Sequence, residues 1–143
     1  MRLTLYTDYS LRVLLYIGAK DRAALSTIQE IADAYHISKN HLMKVTHELG
    51  RLGYVETVRG RGGGIRLAQE PEHINIGAVV RQTEEDFHIV ECFDEANNLC
   101  RLSSHCRLKG VLYEALQAYL AVLDRYTLAD CLAGQQDLLA LLR

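Results

Sequence analysis

The stretch from Tyr54 to Leu67 constrains the fold most. Two short β-prone runs, Tyr54-Val55-Glu56-Thr57-Val58 and Ile65-Arg66-Leu67, flank Gly60-Arg61-Gly62-Gly63-Gly64. β-branched and aromatic residues on either side of a glycine cluster read as a hairpin, because glycine supplies the turn conformations. Most of the remaining chain carries helical spacing instead. The expected class is therefore mainly α with one small β-hairpin.

The helices can be placed by their caps. Thr7 or Asp8 is positioned to cap a first helix bearing Leu11, Leu14, Leu15 and Gly18. Ser26 followed by Gln29 is a capping-box signature, opening a second helix with Ile28, Ile31, Ala32 and Tyr35 on one face. His36-Ile37 forms a tight break, and Ser38 caps a third helix with Leu42, Val45, Leu49 and Leu52 that ends at Gly53. Beyond the hairpin, Asn75 caps a helix through Ile76, Val79, Val80 and Thr83. The pattern is irregular from Asp86 to Cys106. A long helix is then expected from about Arg107 to Leu132, with Leu108, Val111, Leu112, Ala115, Tyr119, Leu120, Leu123 and Tyr126 on one wide apolar face. Its length would be roughly 37 Å at 1.5 Å per residue. A last short helix covers Gln135 to Leu142.

Three helices, a tight turn between the second and third, then a hairpin: this is the order of a winged helix-turn-helix. The third helix has the matching surface. Leu42, Val45, Leu49 and Leu52 fall on one side of its wheel, with Asn40, Lys44, His47 and Arg51 opposite and Met43 at the edge. Ser38, Lys39 and Asn40 at its start are expected in the major groove, and Lys44, His47 and Arg51 along base edges and phosphates. Arg59 and Arg61, interleaved with glycine, let the wing tip lie against the sugar–phosphate backbone. The glycine run is not a nucleotide phosphate loop, since no Lys-Ser/Thr follows it and no helix starts there.

The overall formal charge of −2 hides a segregation that fits this reading. Residues 36–66 hold six basic and two acidic groups, whereas residues 67–99 hold one basic and eight acidic. No run of ~18 apolar residues suggests a membrane span, and the first residues lack the apolar stretch of a signal peptide. A cytoplasmic location is expected, where thiols stay reduced. No nucleophile–base pair sits in a recognisable motif, so no enzyme is expected.

Three of the four cysteines, Cys92, Cys100 and Cys106, fall in the irregular segment with the spacing C-x7-C-x5-C. Soft thiolates in a loop suit an iron–sulfur cluster. Zinc, a redox thiol switch and three unliganded thiols stay open, although the close C-x2-C pairs usual for structural zinc are absent. His105, Glu91, Asp94 and the distant Asp8 are candidates for a fourth ligand. Cys131 reads as a small buried hydrophobe.

Several segments together resemble the bacterial winged-helix iron–sulfur transcription regulators. They are Tyr6-Thr7-Asp8-Tyr9, Ile37-Ser38-Lys39-Asn40-His41-Leu42, Gly53-Tyr54-Val55 through the glycine wing, and the cysteine loop. The cluster-assembly branch of that family looks like C-x5-C-x5-C-x2-His and binds a 2Fe–2S cluster. Here the first interval is longer, and Lys109 stands where that histidine would be. Val90-Glu91-Cys92-Phe93 looks more like the nitric-oxide-sensitive repressors. That resemblance implies a 4Fe–4S cluster held by Cys92, Cys100 and Cys106, with Asp8 supplied by the other subunit of a homodimer. It further implies a repressor of nitrosative-stress genes, with nitric oxide as the signal. The alternatives are a 2Fe–2S regulator of cluster assembly, a zinc or thiol-switch regulator, and a metal-carrier protein.

The expected organisation is a DNA-binding domain over 1–85, a cluster-binding loop over 86–106, and a dimerisation helix with a tail over 107–143. The apolar face of the long helix exceeds what one small core can cover, which calls for a second copy. A twofold dimer would place two reading heads about one turn, ~34 Å, apart on double-stranded promoter DNA with a near-palindromic operator.

Overall fold

Thr4, not Thr7 or Asp8, starts the first helix. In the computed structural model, which describes residues 1–134 and 137–142, Thr4 is extended and its Oγ1 accepts from the Thr7 amide at 3.3 Å. Helix α1 (Leu5–Gly18) therefore carries Asp8 inside its first turn, where the peptide dipoles favour a carboxylate. Thr7 is fully buried and so unavailable as a surface cap. The face of α1 turned to the core is Val13, Leu14, Tyr16 and Ile17, while Leu11 and Leu15 pack at its margin.

Helix α2 (Ile28–Tyr35) begins one residue later than the Ser26–Gln29 signature suggests. Thr27 and Glu30 form the capping box. Ser26 is committed elsewhere: its amide and carbonyl pair with Ile65, at 3.0 and 2.8 Å, as an isolated β-bridge at the edge of the wing. His36 closes α2 in the left-handed region at φ 55°. Ser38 then caps α3 (Lys39–Arg51) through the His41 amide, and Gly53 turns the chain at φ 87°. Strands β1 (Val55–Val58) and β2 (Gly64–Leu67) pair antiparallel, with Val55 opposite Leu67 and Val58 opposite Gly64. A single turn at Pro71–His73 leads to α4 (Ile76–Thr83), capped by Asn75 as the sequence indicated.

These elements share one core. Leu42, Val45 and Leu49 of α3 are fully buried with Val13 and Leu14, Ile31, Ile65 and Leu67, and Val79 and Val80. Leu52 is only half-buried, at the margin of this core. The observed class is thus mainly helical with a two-stranded wing.

The long C-terminal helix is shorter than its apolar pattern implies. Helix α5 (Arg107–Asp124) has 18 residues, about 27 Å, and stops well before Leu132. The cause is tertiary. The Ile76 amide donates to the Tyr126 carbonyl at 2.9 Å and the Leu128 amide to the Ile74 carbonyl at 2.8 Å, so residues 125–127 must leave the helical path. Thr127 restarts the chain with a capping box to Asp130, giving α6 (Leu128–Leu132). α6 then crosses α1, where a Cβ on Gly18 would lie 2.9 Å from Leu132. Of the expected Gln135–Leu142 helix, α7 (Leu138–Leu141) is present; Gln135 lies outside the described residues. Cys131 packs at the core margin, half-buried where full burial was expected, and burial followed by the nearby Asp130 charge pushes its thiol up.

Thr127→Ala removes a cap that holds this restart. It is expected to cost ~1 kcal/mol and to lower the melting temperature by about 3 °C, read by circular dichroism.

Helix α5 has two unlike sides. Leu116 and Leu120 are buried on the reading head, with the Arg81 guanidinium forked onto Asp124 and Asn75 Nδ2 donating to the Asp124 carbonyl. On another side Leu108, Val111 and Val122 are 62%, 59% and 44% exposed. Among the described residues, no helix is long and apolar enough to cross a membrane.

Candidate nucleic-acid interface and thiol loop

The recognition surface is built by the rotation of α3. Burying Leu42, Val45 and Leu49 turns Lys39, Asn40, Lys44, His47 and Arg51 outward, and all five are exposed, as is Ser38 before them. Arg59 and Arg61 are exposed at the wing. The structure therefore leaves every one of these eight side chains open to a ligand.

Their electrostatics differ. Arg51 is forked onto Glu48 one turn earlier, and Arg66 is paired with Glu56 across the hairpin. Both carboxylates of the basic segment are thus consumed by two of its six cations. Lys39, Lys44, Arg59 and Arg61 remain without an ion-pair partner among the described residues, so positive potential concentrates at the helix face and the wing tip. The Arg51 hydrogen bonds hold the Glu48 carboxyl below the ordinary carboxylate range. Glu48→Gln removes that competition and is expected to strengthen DNA binding several-fold and to steepen its salt dependence by about one unit, measured by fluorescence anisotropy across a salt series.

Contacts behind α3 escaped the sequence reading. Tyr9 of α1 packs edge-on against His41 with centroids 4.8 Å apart. Asp8 accepts a two-pronged bond from Arg12, Nε to Oδ1 at 3.0 Å and Nη2 to Oδ2 at 2.9 Å. The Arg12 guanidinium also lies over the rings of Tyr9 and Tyr35, at 5.7 and 5.8 Å. The i, i+4 spacing of Asp8 and Arg12 was the available signal. Met43, placed at the wheel's edge, is 49% exposed beside the basic residues.

The thiol loop has little regular structure beyond single turns at Glu91–Phe93 and Glu95–Asn97. Cys92, Cys100 and Cys106 are all free and half-buried. Cys92 and Cys106 line one cavity of about 550 Å³. Cys100 is not on its wall; its amide donates to Asn98 Oδ1 at 2.9 Å. Cys106 occupies the N-cap of α5 with no side-chain capping bond. Asp94 serves the loop itself, accepting from Asn97 Nδ2 at 2.7 Å and the Ala96 amide at 3.1 Å. These bonds hold its carboxyl low, the Asn97 side chain foremost. His105 is exposed, with Nδ1 2.8 Å from Ser104 Oγ.

Two of the proposed ligands therefore share a cavity, while Cys100 and Asp8 do not join them within one chain. Among the described residues no three His, Cys, Asp or Glu side chains converge as a metal site. The donor chemistry nonetheless fits an iron–sulfur cluster: three free thiols in an irregular segment can close around iron, because ligand binding supplies the ordering energy.

A helical core presenting a polar, basic third helix and a basic hairpin defines a winged-helix transcription regulator. The chain belongs to the Rrf2 family, described as "Iron-dependent Transcriptional regulator", whose model matches residues 3–134. It is 63% identical over 143 residues to the HTH-type transcriptional regulator NsrR of Bacillus subtilis (strain 168), covering 100% of this chain and 98% of that protein. The NsrR regulator of Geobacillus kaustophilus (strain HTA426) is 55% identical over 143 residues, covering 100% and 97%. Two solved structures share the fold at low identity. T. potens IscR has a TM-score of 0.74 at 23% identity, covering 92% of this chain and 86% of that one. CymR, the global cysteine regulator of B. subtilis, has a TM-score of 0.74 at 24%, covering 92% and 95%. These relatives are named as regulators, not enzymes.

Proposed function

We propose that this chain is one protomer of a homodimeric repressor that grips promoter DNA while a 4Fe–4S cluster is intact and releases it on exposure to nitric oxide. Its targets on this reading are nitrosative-stress genes. One observation carries the proposal: three free, half-buried cysteines lie between the reading head and α5 in a chain of an iron-dependent regulator family. Cys92, Cys100 and Cys106 would hold the cluster, with the partner subunit's Asp8 as fourth ligand. When bound, the group supplies an iron site where nitric oxide reacts, most readily at the corner held by a hard carboxylate.

The chain's own residues supply the coupling. Asp8 has two competing uses, as a ligand toward the other subunit or as the partner of Arg12. Arg12 touches Tyr9, and Tyr9 packs on His41 of α3. Three contacts therefore connect Asp8 to the recognition helix, and a change of partner at Asp8 would supply the differential contact that a population shift requires. The exposed Leu108, Val111 and Val122 stripe on α5 supports a second copy as its cover. DNA is met by Ser38, Lys39, Asn40, Lys44, His47 and Arg51 on the helix and by Arg59 and Arg61 on the wing. A near-palindromic operator follows from the twofold axis.

The test is Mössbauer spectroscopy with iron and sulfide counts on anaerobically purified protein. The expected result is a four-iron cluster in each protomer. Two irons would favour the cluster-assembly alternative; zinc or bare thiols would overturn the proposal.

A further inference from the structure

Lys109 stands where the cluster-assembly branch has a ligand histidine, and neither DNA contact nor thiol ligation gives it a task. It lies in the first turn of α5, is half-buried, and shares the cavity wall with Cys92 and Cys106. Glu95 is the carboxylate on that wall, yet it forms no ion pair with Lys109. Among the described residues Lys109 has no hydrogen-bond or ion-pair partner. The aromatic side of the cavity is the edge-packed pair Phe93 and Tyr113, with centroids 6.3 Å apart.

This is a poor place for an isolated cation. The first turn of a helix is the positive end of its peptide dipoles. That turn holds no acidic residue, and Cys106 offers no capping bond. Lys109 is half-buried at the N-terminal turn of a helix, on a wall that also carries aromatic rings, so its charge is best offset by an anion in the same cavity. Besides Glu95, the same wall carries the thiols of Cys92 and Cys106, which become thiolates on holding a cluster.

We propose that Lys109 is the electrostatic partner of the thiolate-held cluster, offsetting its negative charge and thereby setting its reduction potential and its retention. This rests on reading the thiol loop as a cluster site. A 4Fe–4S core in its 2+ state with three thiolates and one carboxylate carries a net charge of about −2. One-electron reduction adds a further negative charge, so a nearby cation stabilises the reduced form more than the oxidised. Lys109 acts through the site's charge and is a positioning residue, not a ligand.

The experiment compares wild type with Lys109→Gln, Lys109→Arg and Lys109→Glu, all purified anaerobically as full-length protein. Mediated spectroelectrochemical titration reads the midpoint potential, and loss of absorbance under a chelator reads retention. Lys109→Gln is expected to bind full iron and sulfide and to disfavour reduction about tenfold, a midpoint lower by about 59 mV for one electron. It should lose its cluster several-fold faster. Lys109→Arg should restore both properties, and Lys109→Glu should exceed the glutamine effect. Melting of the apoproteins should not fall, because a cation is removed from the unfavourable end of a helix. A Lys109→Gln holoprotein with wild-type potential and retention overturns the proposal. A wild type that binds neither iron nor sulfide overturns the cluster reading and this inference together, so the two failures are told apart by which protein shows them.

Discussion

Replacing Cys106 by serine is expected to abolish iron and sulfide binding and to lower operator affinity at least tenfold, while the folded apoprotein becomes slightly more stable. The opposite signs follow from where Cys106 sits. It is the N-cap of α5 and makes no capping hydrogen bond. Serine is among the preferred N-cap residues, and its hydroxyl can accept from the orphan amides of the first turn, stabilising by about 0.5–1 kcal/mol. As a ligand, the change is adverse: iron in such clusters prefers the soft thiolate, and a serine hydroxyl stays protonated at neutral pH. Iron analysis, anisotropy with promoter DNA and thermal melting of the apoprotein together check the prediction. A fall in apoprotein stability would assign Cys106 a packing role. Full iron content would remove it from the ligand set.

The second large effect is expected at the wing. A Cβ on Gly63 would lie 2.2 Å from the Val58 carbonyl oxygen and 2.8 Å from that of Gly60. Both obstacles are backbone, so no side chain can move aside; the hairpin tip itself must open. Gly63→Ala should cost about 2 kcal/mol, the scale of overpacking in a tight site, and unpair Val58 from Gly64. The fully buried α3 packing lies elsewhere in the head and should persist. DNA affinity should fall about tenfold, and the salt slope should lessen by about two units as Arg59 and Arg61 lose their phosphates. Gly60 and Gly62 make useful comparisons. They have open space and positive φ, 101° and 74°, so alanine there meets only local strain of about 1 kcal/mol. Unchanged affinity and slope in Gly63→Ala would show that the wing does not touch DNA.

Short-range chemistry made the reading head legible. The Ser38 and Asn75 caps, the αL break at His36, the glycine turn and the apolar stripe of α3 are each decided within a few residues. Where two local solutions competed, the sequence could not choose. Ser26-x-x-Gln29 and Thr27-x-x-Glu30 both spell a capping box, and the backbone pairing of Ser26 with Ile65, 39 positions away in the chain, selects the second. The end of α5 was hidden for the same reason. Its apolar pattern runs on through Tyr126, and only the bonds from the segment around Ile74 and Ile76 to Tyr126 and Leu128 break it. In the site, the residue types and their spacing were readable, and the rotation of α3 exposes the side chains that its wheel pointed outward. The neutralisation of Arg51 by Glu48 follows from their i, i+3 spacing on α3. The thiols do not converge among the described residues; on the proposed reading, closing the loop would draw on the metal and a second chain, which no local pattern in one sequence encodes.

The most direct measurement is operator affinity of the anaerobic holoprotein before and after titration with nitric oxide, using promoter DNA selected by the holoprotein itself. Tight, salt-dependent binding is expected before, with a loss of at least tenfold after, and no such change in the Cys106→Ser protein. Equal affinity before and after nitric oxide would contradict the central claim.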